Sequence, residues 1–172
     1  MKKKDILIVV GVVAINVGIV LHLWQGRGYL AIDTAGAELQ LQGRLFGKVT
    51  VRSDSEPKEV PVRAYHPTRL RLDRELKGDR WQLESRGPWG DLAKIRVRTG
   101  KTTTLKVGSP LRIEPDVWVS RSQVFIALAI YGQAGERYSN VIHKNGQRLK
   151  APGIRIIDEN GDVIAKGRFG YG

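Results

Sequence analysis

From Ile6 to Trp24 the chain reads ILIVVGVVAINVGIVLHLW, nineteen residues without a formal charge. At about 1.5 Å per residue this segment is roughly 28 Å long, close to the ~30 Å hydrocarbon core of a bilayer, and it predicts one transmembrane helix. Beyond Gly28 the pattern changes to short alternations of apolar and polar residues separated by turn residues, which predicts antiparallel strands with one buried face. Leu39-Gln40-Leu41-Gln42 ends at Gly43, and Lys48 to Arg52 ends in the polar stretch Ser53 to Lys58. Thr68 to Leu72, Trp81-Gln82-Leu83 and Lys94 to Arg98 alternate in the same way, and Gly100-Lys101 leads into a strand over Thr102 to Val107.

Gly108-Ser109-Pro110 reads as a linker between a unit at 28–109 and a second at 110–172. In the second unit, Leu111 to Ile113 and Val117 to Val119 precede an almost wholly apolar run, Val124 to Tyr131, which predicts a central strand buried on both faces. Asn145-Gly146 and Asn160-Gly161 predict two hairpins with type I′ turns, because both central positions of that turn take positive φ. The expected fold is mainly β: residues 1–25 form the anchor with a short cytoplasmic N-terminus, followed by one or two antiparallel sandwich units of Ig-like or transthyretin-like kind.

The helix ends in Leu21-His22-Leu23-Trp24-Gln25 without a small-x-small cleavage pattern, so it reads as an uncleaved signal-anchor. Lys2, Lys3 and Lys4 flank one end, and the positive-inside rule then puts the N-terminus in the cytoplasm and the rest in the periplasm or outside the cell. Gly11, Ala14, Gly18 and His22 fall within about 80° of one another on a helical wheel, a small-residue stripe against which another membrane helix can pack closely.

Charge adds an expectation about partners. The chain has 29 Lys and Arg against 17 Asp and Glu, a formal charge of +12, and residues 25–109 carry most of the excess. Arg69, Arg71, Lys94, Arg96 and Arg98 project opposite Leu70, Leu72, Ile95 and Val97, so a sheet containing both strands presents a basic face to an anionic envelope polymer or lipid headgroups. Stacking aromatics do not interleave with these cations, and nucleic acid is not an expected partner.

Enzymatic readings find little to stand on. The absence of cysteine excludes disulfides, thiolate metal sites and a Cys nucleophile. There is no G-x-S-x-G, no P-loop and no H-E-x-x-H, and His22, His66 and His143 are scattered. Asp158 to Asp162 is oxygen-rich but lacks the spacing of a calcium loop, and a hairpin turn accounts for it. No metal and no cofactor is expected. Arg86-Gly87-Pro88-Trp89-Gly90 is a compact turn whose Trp is expected to pack over the end of a sandwich.

The stretch from Val62 to Val107 resembles the end of a PEGA-type or carboxypeptidase-regulatory-like β domain. The residues that carry this are Tyr65, Trp81-Gln82-Leu83, Ile95-Arg96-Val97 and Gly100-Lys101-Thr102-Thr103-Thr104-Leu105. Val163 to Gly172 similarly resembles the last strands of Ig-like units in bacterial envelope proteins. The resemblance implies a noncatalytic module that binds or spaces. The combined expectation is a structural or interaction subunit whose partners are other membrane or envelope proteins, in a homo- or hetero-oligomer.

Overall fold

The computed structural model describes residues 26–43 and 47–170. The expected membrane helix from Ile6 to Trp24, with Gly11, Ala14, Gly18 and His22, lies outside them; among the described residues no helix is long and apolar enough to cross a membrane.

The described chain is mainly β. Strands β1 (Arg27–Ile32), β2 (Ala37–Gly43), β3 (Lys48–Arg52), β4 (Lys58–Pro61), β5 (Ala64–Leu76) and β6 (Asp79–Ser85) follow in order. A 3-10 turn at Gly90–Ala93 precedes β7 (Ile95–Arg96) and β8 (Thr102–Leu105). Then come β9 (Arg112–Ser120), β10 (Gln123–Tyr131), β11 (Arg137–Tyr138), β12 (His143–Lys144), β13 (Gln147–Arg148), β14 (Gly153–Ile157) and β15 (Val163–Arg168).

A small sheet, β4-β1-β8, and a large one, β13-β12-β6-β5-β2-β3 with β7 on the start of β5, contribute to one core. Alternation decides which residues face inward. Ala37, Leu39 and Leu41 of β2 are buried between half-buried neighbours, and Leu70 and Leu72 of β5 pair with Leu39 and Ala37. Leu30 and Val60 enter the same cluster from the small sheet. Removing a leucine side chain from water is worth about 1.5–3 kcal/mol, so these few positions carry much of the fold.

Pro67 sits inside β5, where a missing N–H would normally break a ladder. The register shifts between Gln40 and Leu41, leaving Thr68 as the extra residue of a bulge, so Pro67 and Leu70 both face inward while Thr68 and Arg69 lie on the outer side. Tyr65 is fully buried, and its hydroxyl donates to the Pro61 carbonyl at 3.0 Å and accepts from Arg63 Nε at 3.1 Å.

Four expectations need correction. The sandwich is not wholly antiparallel: β8 runs parallel to β1, with Tyr29 beside Thr102 and Ile32 beside Leu105, because most of the large sheet lies on the path between them and supplies the crossover. Residues 110–172 do not close a sandwich among themselves. β12 pairs with β6, and Ile130 and Tyr138 join the main cluster. The run Val124 to Tyr131 is central in β11-β10-β9 but is not covered on both faces: Val124 and Phe125 are exposed, Ile126 to Leu128 and Tyr131 are half-buried, and only Ala129 and Ile130 are buried, because β9 and β10 leave the sandwich as a hairpin arm. At the two Asn-Gly pairs the outcomes differ. Asn145 and Gly146 both take positive φ, 51° and 79°, and join β12 to β13. Between β14 and β15 only Gly161 does, at 88°, in a loop held by Asp158 Oδ1, which accepts from the amides of Asn160 and Asp162 at 2.9 Å each.

Candidate functional site

The outer face of the large sheet, over β3, β2, β5 and β6, carries cations that are paired with acids. Arg52 Nε meets Glu38 at 2.8 Å, Arg71 Nε meets Asp73 at 3.0 Å, and Asp73 also meets Arg80 at 3.1 Å. Glu84 lies between Arg69 and Arg86, the latter at 2.7 Å. The Arg52 hydrogen bond holds the Glu38 carboxyl below its ordinary range. For Asp73 and Glu84 burial pushes upward, but the donors and charges around each carboxylate outweigh it and the net shift is downward.

Placement divides the five expected basic residues. Arg69 and Arg71 lie over the β5–β6 part of the sheet, whereas β7 pairs with Ala64 and Tyr65 at the start of β5. Arg96 therefore sits opposite Ala64, five residues from Arg69, and Lys94 and Arg98 are exposed on the flanks of β7. Arg96 thus shares the sheet with Arg69 and Arg71 but lies at the start of β5.

Arg69 and Arg71 open instead into a groove of about 760 Å³. Gln82 and Glu84 also line it, with one side from the turn at Arg86, Gly87 and Pro88 and the other from the segment Arg137 to Val141 and His143. The Arg137 amide donates to the Pro88 carbonyl at 2.9 Å and the Ser139 amide to the Glu84 carbonyl at 2.8 Å, so the two sides are tied by backbone bonds. Ser85 Oγ donates to the Arg137 carbonyl at 2.6 Å beneath them. Among the described residues no ion pair forms at Arg137. The sequence marked Arg86 only as part of a turn and gave no sign of Arg137, because their approach comes from a chain return more than fifty residues away.

The second feature is the arm. Across β9 and β10 the register pairs Val119 with Val124, Val117 with Ile126, Pro115 with Leu128 and Ile113 with Ile130, so one face is apolar along its length. Ile130 ties that face into the main core, yet Ile113, Val117, Val119 and Val124 are 56–69% exposed. On the opposite face Trp118 and Phe125 stack, centroids 5.4 Å apart and planes 8° from parallel. The β14–β15 hairpin lies beside the arm, where Ile154, Ile156 and Ala165 share a cleft of about 230 Å³ with Val124 and Ile126, and a second, apolar cleft of about 260 Å³ is lined by Ile113, Leu128, Ile142, Leu149 and Phe169 among others. Outwardly, β9 is the last strand of its sheet.

At the root of the arm, Glu136 is fully buried. Its carboxylate accepts from the Gly108 amide at 2.6 Å, the Ala134 amide at 3.0 Å and the Tyr138 hydroxyl at 2.8 Å. Gln133 Nε2 donates to the Ser109 carbonyl, and the Gln133 amide donates to the Gly108 carbonyl at 3.0 Å. Trp89 packs against the main core, as its turn led one to expect. Among the described residues, no three His, Asp or Glu side chains gather as a metal site would require.

Compared with protein-family models, with curated proteins and with solved structures, the chain matches none.

Proposed function

We propose that this chain is a noncatalytic, membrane-anchored interaction subunit of the cell envelope, which docks a protein partner on its β9–β10 arm. The anchor in this reading is the uncharged segment Ile6 to Trp24, with its Gly11, Ala14, Gly18 and His22 side against a neighbouring helix and the β region outside the cytoplasm. The observation that carries the reading is the apolar face of the arm, where four large aliphatic side chains stand more than half exposed in a row. Contiguous exposed apolar surface of this kind is characteristic of interaction sites. Among the described residues β9 has no strand on its outer edge, which supports strand addition, since an extended partner segment can satisfy its open backbone groups while filling the same face. The weak likeness to envelope β modules agrees with a spacing or binding role.

Site-specific photo-crosslinking in the cell tests this. A photoreactive residue at Val119 or Val124 is expected to capture one protein at high yield, while the same residue at exposed Lys48 or Lys58 captures none. Equal yields at all four positions, or no adduct at the arm, would overturn the proposal.

A further inference from the structure

We infer that the groove between Arg69, Arg71, Arg86 and Arg137 is a binding site for an anionic polysaccharide of the uronate type. Four arginines line it against one acidic residue, Glu84, whose carboxylate is already shared by Arg69 and Arg86. Arg71 leans on Asp73, which also serves Arg80, so the local balance stays positive. Arg137 is the member with no ion pair among the described residues, and its planar fork suits bidentate capture of a carboxylate.

The remaining lining selects the class of anion. Ser139, Asn140 and His143 line it too, and their hydroxyl, amide and imidazole groups are of the kind that match sugar hydroxyls, while the Gln82 amide already donates to Asp73 at 2.6 Å. A single-stranded nucleic acid needs aromatic platforms, and the one aromatic side chain lining the groove, Tyr138, is 2% exposed with its hydroxyl on Glu136. An open groove along a sheet face fits an extended chain carrying repeated carboxylates and hydroxyls.

The site is separate from the arm, so its test stands apart from the docking proposal. The full chain in non-ionic detergent is titrated with an oligogalacturonate by calorimetry, with neutral cello-oligosaccharide and poly-glutamate of matched charge as comparisons. The oligogalacturonate alone is expected to bind well, and more weakly as salt is raised. Arg137→Gln is expected to weaken it about tenfold or more, whereas Arg98→Gln, the same charge change outside the groove, leaves it unchanged. Glu84→Gln, which releases Arg69 and Arg86, is expected to tighten it, and unchanged circular dichroism of each variant confirms folding. Equal losses in Arg137→Gln and Arg98→Gln would reduce the effect to net charge and overturn the inference. Binding of poly-glutamate at equal strength would overturn the assignment to a glycan in favour of an acidic peptide, and no binding at all would remove the site.

Discussion

The Tyr138 hydroxyl donates to Glu136 Oε1 at 2.8 Å, with both side chains buried at the root of the arm. The other two donors to that carboxylate are backbone amides from different segments, Gly108 and Ala134. A charge enclosed among neutral dipoles is tolerable only while all its hydrogen bonds are made. Glu136→Gln turns one acceptor into a donor facing another donor, and is expected to cost about 1–3 kcal/mol in urea denaturation. Glu136→Ala, which orphans all three donors, should cost more.

Alkaline pH probes the same pair. Burial first, then the Glu136 charge, raise the Tyr138 phenol well above its ordinary 10.0. A group with a raised folded-state value contributes stability that is complete below the unfolded value and is lost as pH rises past it. The melting temperature is therefore expected to fall above pH 10.0, and Tyr138→Phe is expected to flatten part of that fall at a cost of about 1 kcal/mol at neutral pH.

Acid acts through the outer face. Glu38, Asp73 and Glu84 all have lowered values relative to 4.5, 3.8 and 4.5. Their contribution is present above those ordinary values and is lost as pH falls below them toward the lowered ones. Thermal melts should change little from pH 7 to about pH 5 and then decline. The double variant Asp73→Asn/Glu84→Gln should start lower and decline less steeply.

Two glycines separate backbone strain from crowding. Gly36 and Gly78 have similar φ, 70° and 79°, but a Cβ at Gly36 would strike the Asp73 carbonyl, while one at Gly78 meets nothing within 4 Å. Gly78→Ala is expected to cost about 1–2 kcal/mol for the left-handed backbone alone. Gly36→Ala should cost clearly more, since the Asp73 amide also donates to the Gly36 carbonyl at 2.7 Å and that bond must shift. Equal losses in chemical denaturation would refute the crowding argument.

Asn145 does two things. Its positive φ makes the β12–β13 turn, and its side chain accepts from the Arg80 amide at 2.8 Å and donates to Asp79 at 2.8 Å. Asn145→Gly keeps the turn and loses the bonds, so it should cost about 1 kcal/mol; Asn145→Ala loses both and should cost about 2 kcal/mol.

The local pattern carried the strands whose inward residues alternate, such as Leu39 with Leu41 and the stretch Lys48 to Arg52, because period two is written in adjacent residues. It carried the Asn145-Gly146 turn for the same reason. It did not carry the parallel pairing of Ile32 with Leu105, a choice made across seventy residues. An apolar run also has no means of distinguishing two covered faces from partial cover, and in Val124 to Tyr131 only Ala129 and Ile130 are buried. Of the groove, Arg69 and Arg71 were legible as outward cations; the acids that pair with them, and the arrival of Arg86 and Arg137, depend on tertiary neighbours.

Both strands of the arm are fastened where they leave the sandwich, by Glu136 between Gly108 and Ala134 and by Gln133 on Gly108. At the far end Ser120 pairs with Gln123, and Arg121 takes a φ of 56° in the two-residue turn between them. The tip is thus topologically idle with respect to the core. Foreign sequence spliced between Arg121 and Ser122 pays its loop-closure entropy within the arm alone, so a reporter or epitope can be carried there while the sandwich refolds as before.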